Sequence, residues 1–209
     1  MGRPHGQLIA GQIDFRTTLR VRQTAAMRTS AEVAAAIERG QRVKFLFFWG
    51  HRPQPDGTAG AGCLSQWWPA RFTVDGVEFA SAEHFMMWRK AMLFGDHGTA
   101  ARILAATHPH QAKSLGREVR GFDQATWERD RFEIVVAGTI AKFDQHPELG
   151  RFLAGTRDRV LVEASPLDRI WGIGLAADDE RAEDPSRWRG LNLLGFALME
   201  ARDRRTGRV

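Results

Sequence analysis

Apolar and polar residues follow two different rhythms along this chain. Helical spacing, with apolar residues recurring every three to four positions, runs through 82–94, 97–106, 109–120 and 123–145. A shorter helix, "AEVAAAIERG", precedes them, with Ser30 placed to cap it and Gly40 to end it. Another, "PELGRFLAGT", closes at Gly155, and "GLNLLGFALMEARDRR" opens near Asn192 with Leu193, Leu194, Ala197 and Leu198 on its buried side. Strands are predicted at 43–49 and 159–165 from their aromatic and β-branched runs. In "RFTVDGVEF" the Asp75-Gly76 pair separates two alternating runs, a strong hairpin signal. "HRPQPDGTAGAG" is loop by its glycine and proline content. The pattern predicts a helix-rich α+β fold with a small β-sheet, in one domain over 29–205.

The helix in "FASAEHFMMWRKAMLFGD" breaks the usual rule for a surface helix, because no face of it is plainly polar. Ser81 is a good N-cap, which puts Glu83 in the first turn, where the helix dipole favours a negative charge. Glu83, Met87, Lys90 and Phe94 share one stripe at about 100° per residue. A carboxylate in such surroundings is costly unless it is paired or opens onto a polar cavity. Two readings stand: Glu83 caps its helix or pairs with an arginine, or it serves a site.

Two other stretches could carry chemistry. In "EASPLDRIWGIG" a strand runs into a loop that sets Asp168 beside Trp171, with Gly172 and Gly174 permitting close backbone approach. In "CLSQWWPARF", Ser65, Gln66, Trp67 and Trp68 follow a glycine-rich loop, and either tryptophan could stack on a base or belong to the core. His108 and His110 in "THPH" have no nearby acidic or cysteine partner, so a metal site is not expected. Ser65 lacks the nucleophile elbow of α/β hydrolases. "KSLGREVR" reads as a solvated helix side.

Charge adds less than its total suggests. The chain carries +5 overall, yet residues 1–28 hold +4 and 201–209 hold +3, which leaves −2 for 29–200. The basic character belongs to an extension (1–28), with Met27 near its end as a second possible start, and to the end of the chain (201–209), whose last four residues (206–209) form a tail. Such ends raise on-rates for phosphate-bearing partners or are simply solvated. One cysteine, Cys63, excludes an internal disulfide framework and suits a reducing cytoplasm. No apolar run approaches the roughly 18 residues of a membrane helix.

"FLFFWG", "CLSQWWPARFTVDGVEFASAEHFMMWRKAMLFGD", "AKSLGREVRGFDQATWERDRFEIVVAGTIAKFDQHPEL", "LAGTRDRVLVEASPLDRIWGIGL" and "WRGLNLLGFALMEAR" occur in this order over about 44–203. Together they resemble the YbiA-like, or NADAR, family. The resemblance implies N-glycosidase activity on the base–ribose bond of a small nucleotide-like substrate, a phosphorylated riboflavin-pathway intermediate or an ADP-ribose derivative. It also leaves open removal of ADP-ribose from modified guanine in DNA, with the basic ends tracking phosphate, and a non-catalytic sensor of NAD or ADP-ribose. No cofactor is expected. This chain has "SQWW" where other members have Ser-Asn-Phe, which bears on the base pocket. On that footing Glu83 would stabilise an oxocarbenium-like state or activate water, Asp168 would orient ribose or water, and Lys90 would hold Glu83 charged or bind substrate oxygens. Trp67 and Trp171 would clamp the base. Phe48 and Trp49 would wall the pocket beside Ser65, Gln66, Met87 and Gly172, and Asn192 would contact sugar or phosphate.

Overall fold

A computed structural model of the protein describes residues 27–207, so most of the basic extension and the end of the tail lie outside the described residues. Their order begins with α1 (Ser30–Glu38), β1 (Phe45–Phe48), β2 (Phe72–Val74) and β3 (Val77–Phe79). Helices α2 (Ala82–Leu93), α3 (His97–Leu104), α4 (Pro109–Arg117), α5 (Gln124–Gln145) and α6 (Pro147–Gly155) follow. Then come β4 (Val160–Glu163) and α7 (Leu193–Thr206). The helix-rich α+β class read from the pattern is the observed one. No helix among the described residues is long and apolar enough to cross a membrane.

Local signals explain most boundaries. Asp96 and Asp123 cap α3 and α5 by accepting from the backbone N–H groups of Thr99 and Thr126. Asp75 and Gly76 both take positive φ, +50° and +78°, the backbone that a two-residue hairpin turn requires. Helix α1 starts one residue earlier than expected. Thr29, not Ser30, is its cap, accepting from Glu32 N–H at 3.2 Å, while Glu32 reaches back to Arg28 N–H at 2.7 Å. Arg28, which the sequence assigns to the loose extension, is docked on α7 by ion pairs to Glu200 (2.7 Å) and Asp203 (2.9 Å).

The strands form two sheets of two strands each, where one small sheet was expected: β1 with β4 parallel, and β2 with β3 antiparallel. Side-chain amides do the work of further strands. Gln145, at the end of α5, accepts from Thr73 N–H at 2.9 Å and donates to Thr73 C=O at 2.8 Å, closing the edge of β2. Asn192 does the same for β4, accepting from Glu163 N–H at 3.0 Å and donating to Leu161 C=O at 2.9 Å. An edge satisfied in this way has no call for another strand.

Parallel pairing of β1 and β4 sends both strand ends toward one edge of the molecule, where the loop after β4 begins. Beneath β4 lies α7, so close that a Cβ on Gly195 would stand 2.0 Å from Leu161 C=O. Asn192, immediately before α7, is fully buried with φ of +54°. Its side chain therefore fixes both the strand and the entry to the helix. Replacing Asn192 with Ala strands two buried backbone groups, and we expect a loss of about 3 kcal/mol in stability by urea denaturation. Gly at this position relieves the left-handed backbone but not the lost bonds, so it should recover less than half. A loss under about 1 kcal/mol for Ala would contradict the clamp.

Candidate functional site

The first turn of α2 is held by a loop rather than by its own cap. Ser81 occupies the N-cap position but makes no cap bond; its hydroxyl meets His84 Nδ1 at 2.8 Å. His84 Nε2 faces Ala106 C=O at 3.1 Å. A carbonyl only accepts, so Nε2 carries a proton, and burial, which lowers the pKa of the ring, disfavours a second one on Nδ1. The freed helix N–H of Glu83 donates instead to Gln66 C=O at 3.0 Å. The same loop is anchored from behind by Lys142 of α5, whose ammonium donates to Cys63 C=O (2.7 Å) and Ser65 C=O (2.9 Å). Ser65 Oγ accepts from Trp67 N–H at 3.1 Å, setting the turn that presents Gln66 and Trp67.

Between this loop, α2 and the end of β4 lies a polar cavity of about 40 Å³. That is room for a few waters or the edge of a sugar, not for a whole nucleotide. Ser65, Gln66 and Trp67 form one side. Glu83 and Met86 come from α2, Lys113 from α4 and Leu194 from α7. Glu163 and, beyond it, Asp168 and Trp171 come from the end of β4 and its loop.

Two carboxylates in this cavity are not neutralised. Glu83 is 3% exposed, and its Oε1 has no hydrogen-bond partner. Burial pushes its pKa up to about 7, against the pull of Lys113 and of the Trp67 side chain, which donates toward it. The first-turn dipole was expected to keep Glu83 ionised; removal from water outweighs it. Glu163 is partly exposed as a residue, yet its Oε2 is sealed from water and also lacks a partner. Burial, with the negative charges of Asp168 and Glu83, raises its pKa to about 8.

Asp168 is built differently. Its Oδ1 accepts from the backbone N–H groups of Ile170 (2.9 Å) and Trp171 (2.8 Å), and its Oδ2 faces the Lys113 ammonium at 3.8 Å. The turn thus aims Asp168 and Trp171 at the cavity together.

Of the residues picked out from sequence, the structure brings together Glu83, Asp168, Ser65, Gln66, Trp67 and Trp171. Lys90 is elsewhere. Seven residues beyond Glu83, about 10.5 Å along the helix, its ammonium donates to Gly116 C=O at 2.8 Å and lies 4.2 Å from the Phe122 ring centre. The shared stripe is real, but it is the contact of α2 with α4. Met87 fills the same contact, where a Cβ on Gly116 would strike its sulfur, and Met86 lines the cavity instead. Phe48 is core at 3% exposed, whereas Trp49 is 69% exposed and outside the cavity lining. Gly172 is needed for close approach, since a Cβ there would come 2.8 Å from Glu163 C=O. Asn192 holds β4 and is not among the residues that line this cavity.

Two residues escaped the sequence reading. Glu163 ends an apolar strand, where a polar residue is ordinary. Lys113 sits in a helix read as solvated. The histidines at 51, 108 and 110 lie around Trp67 with ring centres 5.8, 6.0 and 6.2 Å away, the last two edge to face. A larger groove of about 570 Å³, between the hairpin, α2 and α5, is lined by none of these residues. Most of its charge is spent in the pairs Arg129–Asp130 (2.9 Å) and Arg204–Glu133 (3.0 Å).

The NADAR domain family matches residues 47–205. The chain is 41% identical over 165 residues to N-glycosidase R617 of Acanthamoeba polyphaga mimivirus, covering 77% of this chain and 95% of that protein. It is 30% identical over 136 residues to N-glycosidase YbiA of Escherichia coli, covering 65% of this chain and 75% of the relative. The NMR structure of Escherichia coli YbiA superposes with a TM-score of 0.58 at 24% identity, over 80% of this chain and 89% of that one, a likeness of fold. With its matched segment spanning both the Glu83 helix and the Asp168 loop, this chain belongs to the NADAR domain family.

Proposed function

We propose that this protein is an N-glycosidase that hydrolyses the base–ribose C–N bond of a phosphorylated, nucleotide-like substrate. The observation that carries the reading is the unpartnered carboxylate oxygen of Glu83 at the wall of a polar cavity. Two relatives that bear the name N-glycosidase, and that match most of this chain's length, support it.

Cleaving a ribosyl C–N bond builds positive charge on the sugar. A carboxylate within a water-poor cavity stabilises such charge far better than one in bulk solvent. Glu83 is fixed for that task, because α2 and the Gln66 carbonyl hold its backbone while nothing neutralises Oε1. The cavity holds the reacting water and the anomeric edge of the ribose. Asp168, steadied by two backbone N–H groups, orients a hydroxyl or that water. Trp171, rigidly attached to the same turn, offers a stacking face for the base. Lys113 gives the site its cation, the part assigned from sequence to Lys90.

Glu83→Gln should lower turnover by about 100-fold or more, read as base released by mass spectrometry from a ribosyl-pyrimidine phosphate, NAD, ADP-ribose and ADP-ribosylated DNA. Turnover within a few-fold of wild type on the substrate that reacts would remove Glu83 from the chemistry. The same variant tests the cost of its burial. A carboxylate whose folded pKa is raised lends stability below its unfolded value near 4.5, and that stability is lost as pH rises through about 7. At pH 8 Glu83→Gln should therefore be more stable than wild type, by on the order of 3 kcal/mol, with the difference gone at pH 4. Trp171→Ala should raise KM about tenfold with little change in kcat, since a stacked base is worth roughly 1–3 kcal/mol. An unchanged KM would refute the stacking role.

A further inference from the structure

We infer that Glu163 is the general acid of this site, carrying the proton that the departing base takes, while Glu83 works as the anion. The inference rests on the N-glycosidase reading and divides the labour within it.

Three carboxylates border one cavity, and their surroundings differ in a way that places the proton. Asp168 spends both oxygens as acceptors, Oδ1 on two N–H groups and Oδ2 toward Lys113. Glu83 leaves Oε1 free and also faces the negative charge of Asp168, but it has the Trp67 side chain as a donor and Lys113 and Arg117 as cations to offset that charge. Glu163 has a sealed, unpartnered Oε2 and two neighbouring carboxylates, Glu83 on α2 and Asp168 on its own loop, against Lys113 alone. Adjacent carboxylates in a dry cavity cannot all ionise cheaply, and the proton settles where donors are fewest. That place is Glu163. Its backbone is locked by Asn192 on its N–H and by Ile173 N–H on its carbonyl at 2.9 Å, so the side chain is aimed without being bonded.

The step balances without any further reactant. As the C1′–N bond breaks, its electron pair leaves with the base, and the base nitrogen takes the proton of the Glu163 carboxyl. Water then adds to C1′ and gives its proton to the Glu83 carboxylate. Exchange of that proton with solvent, and reprotonation of Glu163, restore the site. Two carboxyl groups pushed up by burial by different amounts are the usual basis for such an acid and anion pair.

A leaving group that is already cationic departs neutral and needs no proton, which gives the test. Glu163→Gln and Glu163→Asp are assayed on a ribosyl-pyrimidine 5′-phosphate and on nicotinamide mononucleotide, with melting temperature as the check on folding. The expected result is a loss of about 100-fold in kcat for Gln on the neutral-base substrate, with nicotinamide release within about threefold of wild type. Asp, which keeps a shorter acid, should lie between. The fall in wild-type turnover of the neutral-base substrate as pH rises through about 8 should vanish in Gln. An equal loss on both substrates, or an unchanged rate and alkaline limb on the neutral one, would overturn the role of Glu163 and leave the N-glycosidase reading standing. Wild-type protein inert on both would bring down that reading and this inference with it.

Discussion

Two glutamates, each with one carboxylate oxygen sealed from water and left without a hydrogen-bond partner, set the terms for the rest of this molecule. Burying an ionisable group unpaired is among the most unfavourable things a fold can do, and here it happens twice around one small cavity. Such an arrangement persists only if the surrounding frame is fixed by other means. The frame is made of a backbone carbonyl, a neutral amide and a buried lysine: Gln66 C=O on the Glu83 N–H, Asn192 bonded to Leu161 C=O and Glu163 N–H of β4, and Lys142 behind the Cys63–Ser65 turn. None of these contacts touches a carboxylate oxygen. The fold thus positions the two glutamates while leaving their charge unspent.

This division explains why the cavity sits where it does. Parallel strands deliver β1 and β4 to a common edge, and the tight Asp168–Trp171 turn begins at that edge. A helix N-terminus meets the same place, with the N–H of Glu83 given to a loop carbonyl rather than to a capping side chain. Strand end, helix start and tethered loop are each rigid, and the small separation between them is filled by polar side chains. Precision of this kind is what a reacting bond requires, because misplacing a group by an ångström loses most of its effect.

The sequence made some of this legible and hid the rest for physical reasons. Glu83 stood out because an acid on a rod with no polar face has nowhere ordinary to go. Asp168 and Trp171 stood out because their loop follows a strand and is rich in residues that shape turns. Lys90 looked like the partner of Glu83 because spacing along one helix is visible in sequence. Which lysine reaches the acid depends on how α4 is laid against α2, and that put Lys113 at the site and Lys90 beside Phe122. Glu163 was hidden because a polar residue closing a buried strand is commonplace until its neighbours are known. The two amides that finish sheet edges, Gln145 and Asn192, were equally invisible, since their bonds span 72 and about 30 residues. Asn192 was assigned to substrate for want of that tertiary contact.

The central claim, that burial leaves Glu83 and Glu163 sharing protons near neutrality, is open to direct observation. Carbon-13 NMR titration of side-chain-labelled glutamate, assigned through the Glu83→Gln and Glu163→Gln variants, follows each carboxyl separately. This account predicts two carboxyls titrating well above the others, at about 7 for Glu83 and about 8 for Glu163, with Glu163 shifted downward when Glu83 is replaced. Both groups titrating together with the surface glutamates near 4.5, with Glu163 unaffected by the removal of Glu83, would contradict it.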